Sequence, residues 1–227
     1  MLVVGILASA VPAGAQGGEP YQPVIDPANF VEGVNNPFFP LIPGTLAVYE
    51  GMSDGAVEHT EITVTSDTRP ILGIPCMVVR DTVWQDGEMV EDTFDWYAQD
   101  RDGNVWYMGE DTKEYEGGEV TSTEGSWEAG VDGAQPGIIM WGAPQVGDPY
   151  RQEYYAGEAE DVAQVVTVVA PVAGTGEGFL VTREWSLLDP SAVEQKYYVA
   201  GIGLVLEVVV EGGEGRTELV SITTGAE

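Results

Sequence analysis

Cysteine and histidine each occur once, at Cys76 and His59, and the only lysines are Lys113 and Lys196. One cysteine excludes an intramolecular disulfide. One cysteine and one histidine are too few for a zinc centre of the His/Cys kind, which takes several such ligands. A Ser-His-Asp triad would have to use His59, and no G-x-S-x-G elbow accompanies it. Cys76 lies in the apolar run Ile74-Pro75-Cys76-Met77-Val78-Val79 and reads as a small buried hydrophobe rather than a nucleophile. Positive charge is equally scarce. Eight Lys and Arg face 38 Asp and Glu, a formal net charge of −30. Such a surface repels phosphate polymers, so nucleic acid is not an expected partner. It attracts divalent cations, and salt screening should relieve its self-repulsion.

Long apolar runs are also missing. The longest, Leu2 to Val11, has the length of a secretory h-region, and Ala13-Gly14-Ala15 follows it as an A-x-A site. Residues 1–15 are therefore expected to be a signal peptide cleaved before Gln16, which places the mature chain outside the cytoplasm. A bilayer-crossing helix needs about 20 apolar residues, so no membrane span is expected.

What the chain does contain is strands. Residues 16–44 form a Pro/Gly-rich lead-in, with Phe38, Phe39 and Leu41 available to plug a core. From residue 45 to 227, β-branched and aromatic runs alternate with turn dipeptides: Asp86-Gly87, Asp102-Gly103, Gly117-Gly118 and Gly212-Gly213. Strands are expected near 45–51, 57–66, 76–85, 88–98, 103–109, 112–116, 119–123, 149–155, 162–170, 178–187, 194–199, 203–211 and 216–223. No apolar pattern of helical period runs for three turns. The expected fold is all-β, a single domain whose antiparallel meander closes as a barrel or curls as a half-barrel.

Period-2 alternation then sorts the cations. Arg80, Arg151, Arg183 and Lys196 fall mid-strand. Arg151 shares a face with Glu153 and Tyr155 within the segment YRQEYYAGEAED. These six residues, with Trp96 from the aromatic set, are the candidates for lining a polar interior. The alternative is cross-strand ion pairing on the outer face. Asp100, Asp102 and Asn104, around Gly103, resemble the start of a calcium loop. The distal glutamate position is filled by Asp111 and no helix enters, so a hairpin turn is the competing account.

Several segments carry a resemblance: NNPFFPLIPGTLAVYEG, DTFDWYAQDRDGNVWYMGEDT, STEGSWEAGVDGAQPGI, YRQEYYAGEAED and EQKYYVAGIGLVLE. Spread over residues 35–211, they resemble secreted bacterial β-rich proteins without an assigned activity. More loosely, the Tyr-Tyr and Gly-x-Gly-Leu-Val tail is similar to half-barrel envelope proteins that shield a lipid or lipoprotein chain. The resemblance implies secretion and one β domain, and it implies no chemistry. Three functions stay open. The first is a secreted binding protein for a small or amphipathic ligand in the barrel interior. The second is a hydrolase acting on a glycan or ester through carboxylates. The third is a cation-bridged structural surface protein. No cofactor is required by any of them, and calcium is the one the residues could accommodate.

Overall fold

A computed structural model describes residues 21–147, 149–171 and 178–225. The expected signal peptide lies outside them. A single 3-10 turn, Pro27–Asn29, precedes β1 (Phe30–Val31), β2 (Val34–Asn36) and β3 (Phe39–Leu41). A meander follows: β4 (Thr45–Ser53), β5 (Ala56–Ile71), β6 (Ile74–Gln85), β7 (Glu88–Asp100) and β8 (Val105–Glu116). The short β9 (Glu119–Ser122), β10 (Trp127–Glu128) and β11 (Gln135–Met140) all pair with β8. Next come β12 (Tyr150–Arg151) and β13 (Glu153–Tyr154). A second meander closes the chain: β14 (Asp161–Val169), β15 (Phe179–Ser186), β16 (Val193–Val199), β17 (Gly203–Glu211) and β18 (Gly215–Thr224).

The fold is an all-β, antiparallel, nearly closed barrel. Its strand path runs β12-β14-β15-β16-β17-β18-β4-β5-β6-β7-β8-β11-β13. The two meanders join where β18 pairs with β4. The ends of the path, β12 and β13, are separated in the chain by Gln152 alone, so the path returns on itself. Tyr150 and Arg151 pair with Ala163 and Val162, while Glu153 and Tyr154 pair with Pro136 and Gln135. Gln152 N donates to Asp161 O at 2.9 Å. The crossing is tight at Gly137, where a Cβ would sit 2.3 Å from the Gln152 carbonyl. No other residue fits there without moving the backbone.

Turn chemistry sets the hairpins. Asp86 and Gly87 both have left-handed φ, 51° and 86°, the geometry that matches strand twist in a two-residue loop. Asp54-Gly55, Leu72-Gly73 and Gly117-Gly118 repeat it. Leucine is an unusual occupant, since its Cβ disfavours that region. β8 runs unbroken through residues 110 and 111, where the sequence suggested a gap. Its irregularity is instead a bulge at Gly109, φ 133°, where Trp127 O lies 2.3 Å from an ideal Cβ.

The lead-in supplies a plug. The β2–β3 hairpin tucks into the barrel end that carries the β7–β8 and β16–β17 turns. Asn36 Nδ2 donates to Gly103 O (2.9 Å) and Trp141 O (3.0 Å), and Gly201 N donates to Pro37 O (2.7 Å). Phe38 is 1% exposed and packs with Leu41, Val79, Met140, Leu180 and Tyr198. Cys76 is buried in a second cluster with Ile71, Ile74 and Met108, and burial pushes its thiol up to about 12.

Removing the plug's anchor should be costly. Phe38→Ala is expected to destabilise the fold by about 3–5 kcal/mol, the usual cost of truncating a buried phenylalanine. Ile42→Ala, at a residue 54% exposed, should change stability by less than about 0.5 kcal/mol. Urea unfolding of both variants checks the contrast. Equal effects would mean the hairpin does not seal the barrel.

Candidate functional site

Inward-facing residues recur every second position along each strand, stacking in layers about 7 Å apart. On the wall built from β5, β6 and β7, the first layer is Val64, Val79 and Asp95. Ile62, Asp81 and Thr93 come next, followed by Thr60, Val83 and Glu91, and then Glu58 with Gln85. The β15–β17 wall carries Leu180, Tyr198 and Leu204, then Thr182, Lys196 and Glu207, then Glu184. Side chains from both walls enclose a cavity of about 450 Å³ that starts at Phe39, Pro40 and Leu41 of the plug. Its lining is mostly apolar at the plug end. Asp95 is the acid of the plug-end layer, and toward the far mouth the lining becomes more acidic, with Asp81, Glu58, Glu91, Glu184 and Glu207.

Lys196 is the cavity's one cation among the described residues. Its Nζ lies 3.3 Å from Glu184, 3.4 Å from Glu207 and 3.7 Å from Glu194. Burial alone would lower its pKa. The three carboxylates outweigh burial, so it stays an ammonium, held well above the usual lysine range.

The opposite wall carries no cation of its own among the described residues, and Lys196 acts on Asp81 only from across the cavity. Burial raises the Asp81 carboxyl well above the usual range, and neighbouring Asp95 and Glu91 raise it further. Its Oδ1 is buried with no hydrogen-bond partner among the described residues. Asp81 keeps some accessible surface because it lines the cavity, yet protein surrounds it on all sides. Asp95 accepts from Tyr107 O–H at 2.6 Å, and burial pushes it up to about 7 despite that bond.

Beside this wall, Thr93 Oγ1 donates to Glu91 at 2.9 Å and Thr112 Oγ1 donates to Glu110 at 3.2 Å. Burial and then Asp95 push the Glu110 carboxyl up to about 9 despite that bond. Glu153 is likewise pushed up to about 8, first by burial and then by Asp161, although Trp127 Nε1 donates to it at 2.9 Å.

The residues singled out from the sequence fall in different places. Of the seven binding candidates, Lys196 alone lines the cavity. Arg80 faces outward, 46% exposed, and forks onto Asp92 at 2.6 and 3.0 Å. Arg183 also faces outward and pairs with Glu211 at 2.6 Å. For both, outer-face ion pairing replaces the expected polar interior. Arg151 pairs with Glu160 at 3.0 Å and lies over the Tyr154 ring. It does not meet Glu153, because the strand bends at Gln152 and exchanges pairing partners there. Tyr155 forms an isolated bridge with Ala159. Trp96 is buried in the second cluster under the Arg69 guanidinium.

The Asp100, Asp102 and Asn104 group forms a hairpin turn. Both Asp100 oxygens already accept N–H donors, from Asp102 N, Asn104 N, Asn104 Nδ2 and Trp106 Nε1. Among the described residues, no three His, Cys, Asp or Glu side chains converge to hold a metal. Also among them, no helix is long and apolar enough to cross a membrane, which says nothing of strands.

The sequence reading missed Glu58, Asp81, Glu91, Asp95, Glu184 and Glu207. Strand parity was the available signal. Glu91 and Asp95 keep regular alternation on β7, whereas in β17 the extra residue Val205 brings Leu204 and Glu207, three positions apart, to one face, and in β7 the extra residue Val90 lines the cavity beside Glu91.

Two measurements follow from this geometry. Arg151→Met and Glu160→Gln should show a coupling energy of about 0.5–3 kcal/mol in a double-mutant cycle. Arg151→Met and Glu153→Gln should be additive within about 0.5 kcal/mol. The second concerns pH. A carboxyl whose folded pKa is raised binds more protons folded than unfolded. Its stabilising contribution is complete below the unfolded value of about 4. It is lost as pH rises through about 7 for Asp95, 8 for Glu153 and 9 for Glu110. The urea midpoint should fall between about pH 5 and 9, and Glu110→Gln with Glu153→Gln should flatten the fall. A midpoint that rises over this window would refute neutral buried carboxyls.

No family model matches the chain, and no curated protein matches it. Among solved structures, it is similar to the crystal structure of a "putative lipoprotein" from Parabacteroides distasonis ATCC 8503. The two share 10% identity with a TM-score of 0.40, over 82% of this chain and 98% of the other.

Proposed function

We infer that this protein binds a small or amphipathic ligand inside its barrel, in the extracytoplasmic setting that the N-terminal run of the sequence indicates. The observation that carries the reading is the cavity. At about 450 Å³ it falls within the roughly 300–1,000 Å³ of small-molecule pockets. Its lining passes from apolar to polar along its length, which matches a molecule with two unlike ends. A purely structural barrel of this size would gain more by filling that volume with side chains.

Carboxylate hydrolysis is less well supported. It needs two carboxyls on either side of one bound bond, with pKa values pushed apart. Asp81 and Asp95 line the cavity but are both raised, side by side on one wall rather than pushed apart across a cleft, and Glu110 and Glu153 are absent from the lining.

The test uses octan-1-ol as a neutral amphiphile. Isothermal titration should give saturable one-site binding to the wild type. Ala47→Phe, which fills space at a small lining residue, should abolish it while the protein stays folded by circular dichroism. No saturable binding, or binding indifferent to Ala47→Phe, would refute the cavity as a ligand site.

A further inference from the structure

We propose that the cavity selects an organic ammonium ion, its apolar body against the plug and its protonated amine against the wall of Asp81, Glu91 and Asp95. This deepens the binding reading above and rests on it.

The first support is an imbalance between the two walls. Glu184, Glu194 and Glu207 converge on the Lys196 ammonium, so the β15–β17 wall carries its own cation. Asp81, Glu91 and Asp95 line the same cavity and form no ion pair among the described residues. Arg80, adjacent to Asp81 in the chain, points the other way and is spent on Asp92. The second support is Asp81 itself. Its Oδ1 is buried without a partner among the described residues. A buried polar atom left unpaired is a cost the fold already carries, and a cation settling beside this carboxyl offsets it. The third is the axial order of the lining. Val64, Val79, Tyr198 and Leu204 lie nearer the plug, with Asp95 the acid of that layer, while Asp81 follows one layer further on and Glu58, Glu91 and Glu207 lie nearer the mouth. An amphiphile entering tail first leaves its head among carboxylates.

The same arrangement discriminates. A carboxylate-headed ligand would meet six acidic side chains and a lysine already held by two of them and by Glu194. A bare metal ion has no use for the apolar half, and no three-ligand cluster awaits it among the described residues. An ammonium has three donors on a compact centre, as Lys196 does on the facing wall.

Octylamine, octan-1-ol and octanoate share one chain and differ only in the head, so they separate this inference from the reading beneath it. Titration calorimetry near neutral pH should rank octylamine above octan-1-ol by about tenfold or more, with octanoate weakest. Asp81→Asn preserves side-chain size and removes the carboxyl that an ammonium would ionise, and it should collapse the amine-to-alcohol ratio toward one. Glu91→Gln, closer to the mouth, should lower the same ratio and serves if the first variant does not fold. Equal affinity for amine and alcohol overturns the ammonium inference while the cavity reading stands. So does tighter binding of octanoate. Saturable binding by none of the three overturns both.

Discussion

The structure depends on one strand being shared by two edges. The five residues from Tyr150 to Tyr154 pair with β14 through their first two and with β11 through their last two. An open sheet of this size would leave two rows of unpaired backbone groups, and closure is what removes them. It also decides the electrostatics. Once the path returns on itself and the β2–β3 hairpin seals one end, the inner faces of β5 to β8 no longer meet bulk water. The carboxyls that alternation places there lose their hydration, and their pKa values rise for that reason before any neighbour is considered.

An acidic chain has few ways to settle an acidic interior. Lys196 answers one wall by gathering three glutamates. Burial answers part of the other by favouring the neutral carboxyl at Asp95 and Glu110. The remaining cations are spent elsewhere. Arg80, Arg183 and Arg151 are each bound to an acid away from the cavity lining. Scarcity of positive charge thus makes the location of each cation informative, and it leaves Asp81 without a local answer.

Much of the fold was legible because turns and alternation are local. Asp86-Gly87 and Gly117-Gly118 form the tight hairpins their residues require, and most strand bounds fall within a few positions of the pattern. β11 was not legible, since Gln135-Pro136-Gly137 reads as a breaker. Here Gly137 is present because the shared strand crosses over it too closely for a Cβ. The seam was singled out as a cluster of charge and tyrosine, but its role was not readable. Shared-face counting across Gln152 assumes a regular strand, and pairing switches partner at that residue. The interior acids were harder still. With 38 carboxylates in the chain, composition cannot single out six, parity groups residues by face without saying which face is the inner one, and on β17 the bulge at Val205 shifts the parity before Glu207.

The interior acids also say something about why the site exists. A buried carboxyl with no counter-charge weakens a fold, and well-packed apolar residues in its place are often neutral or stabilising. Asp81 sits between Ile62 and Thr93 in a layer where valine would extend the apolar wall without strain. Natural chains break such local rules chiefly where function requires it. Beside the plug, Phe38, Val79, Leu180 and Met140 pack as an ordinary core, with Asp95 the one acid set against that layer. Along β6 and β7 the departure faces the cavity, where Asp81, Glu91 and Asp95 line one wall without an ion pair among the described residues. A fold that keeps an acidic wall with no cation of its own beside an otherwise conventional core is arranged for something positive to complete it.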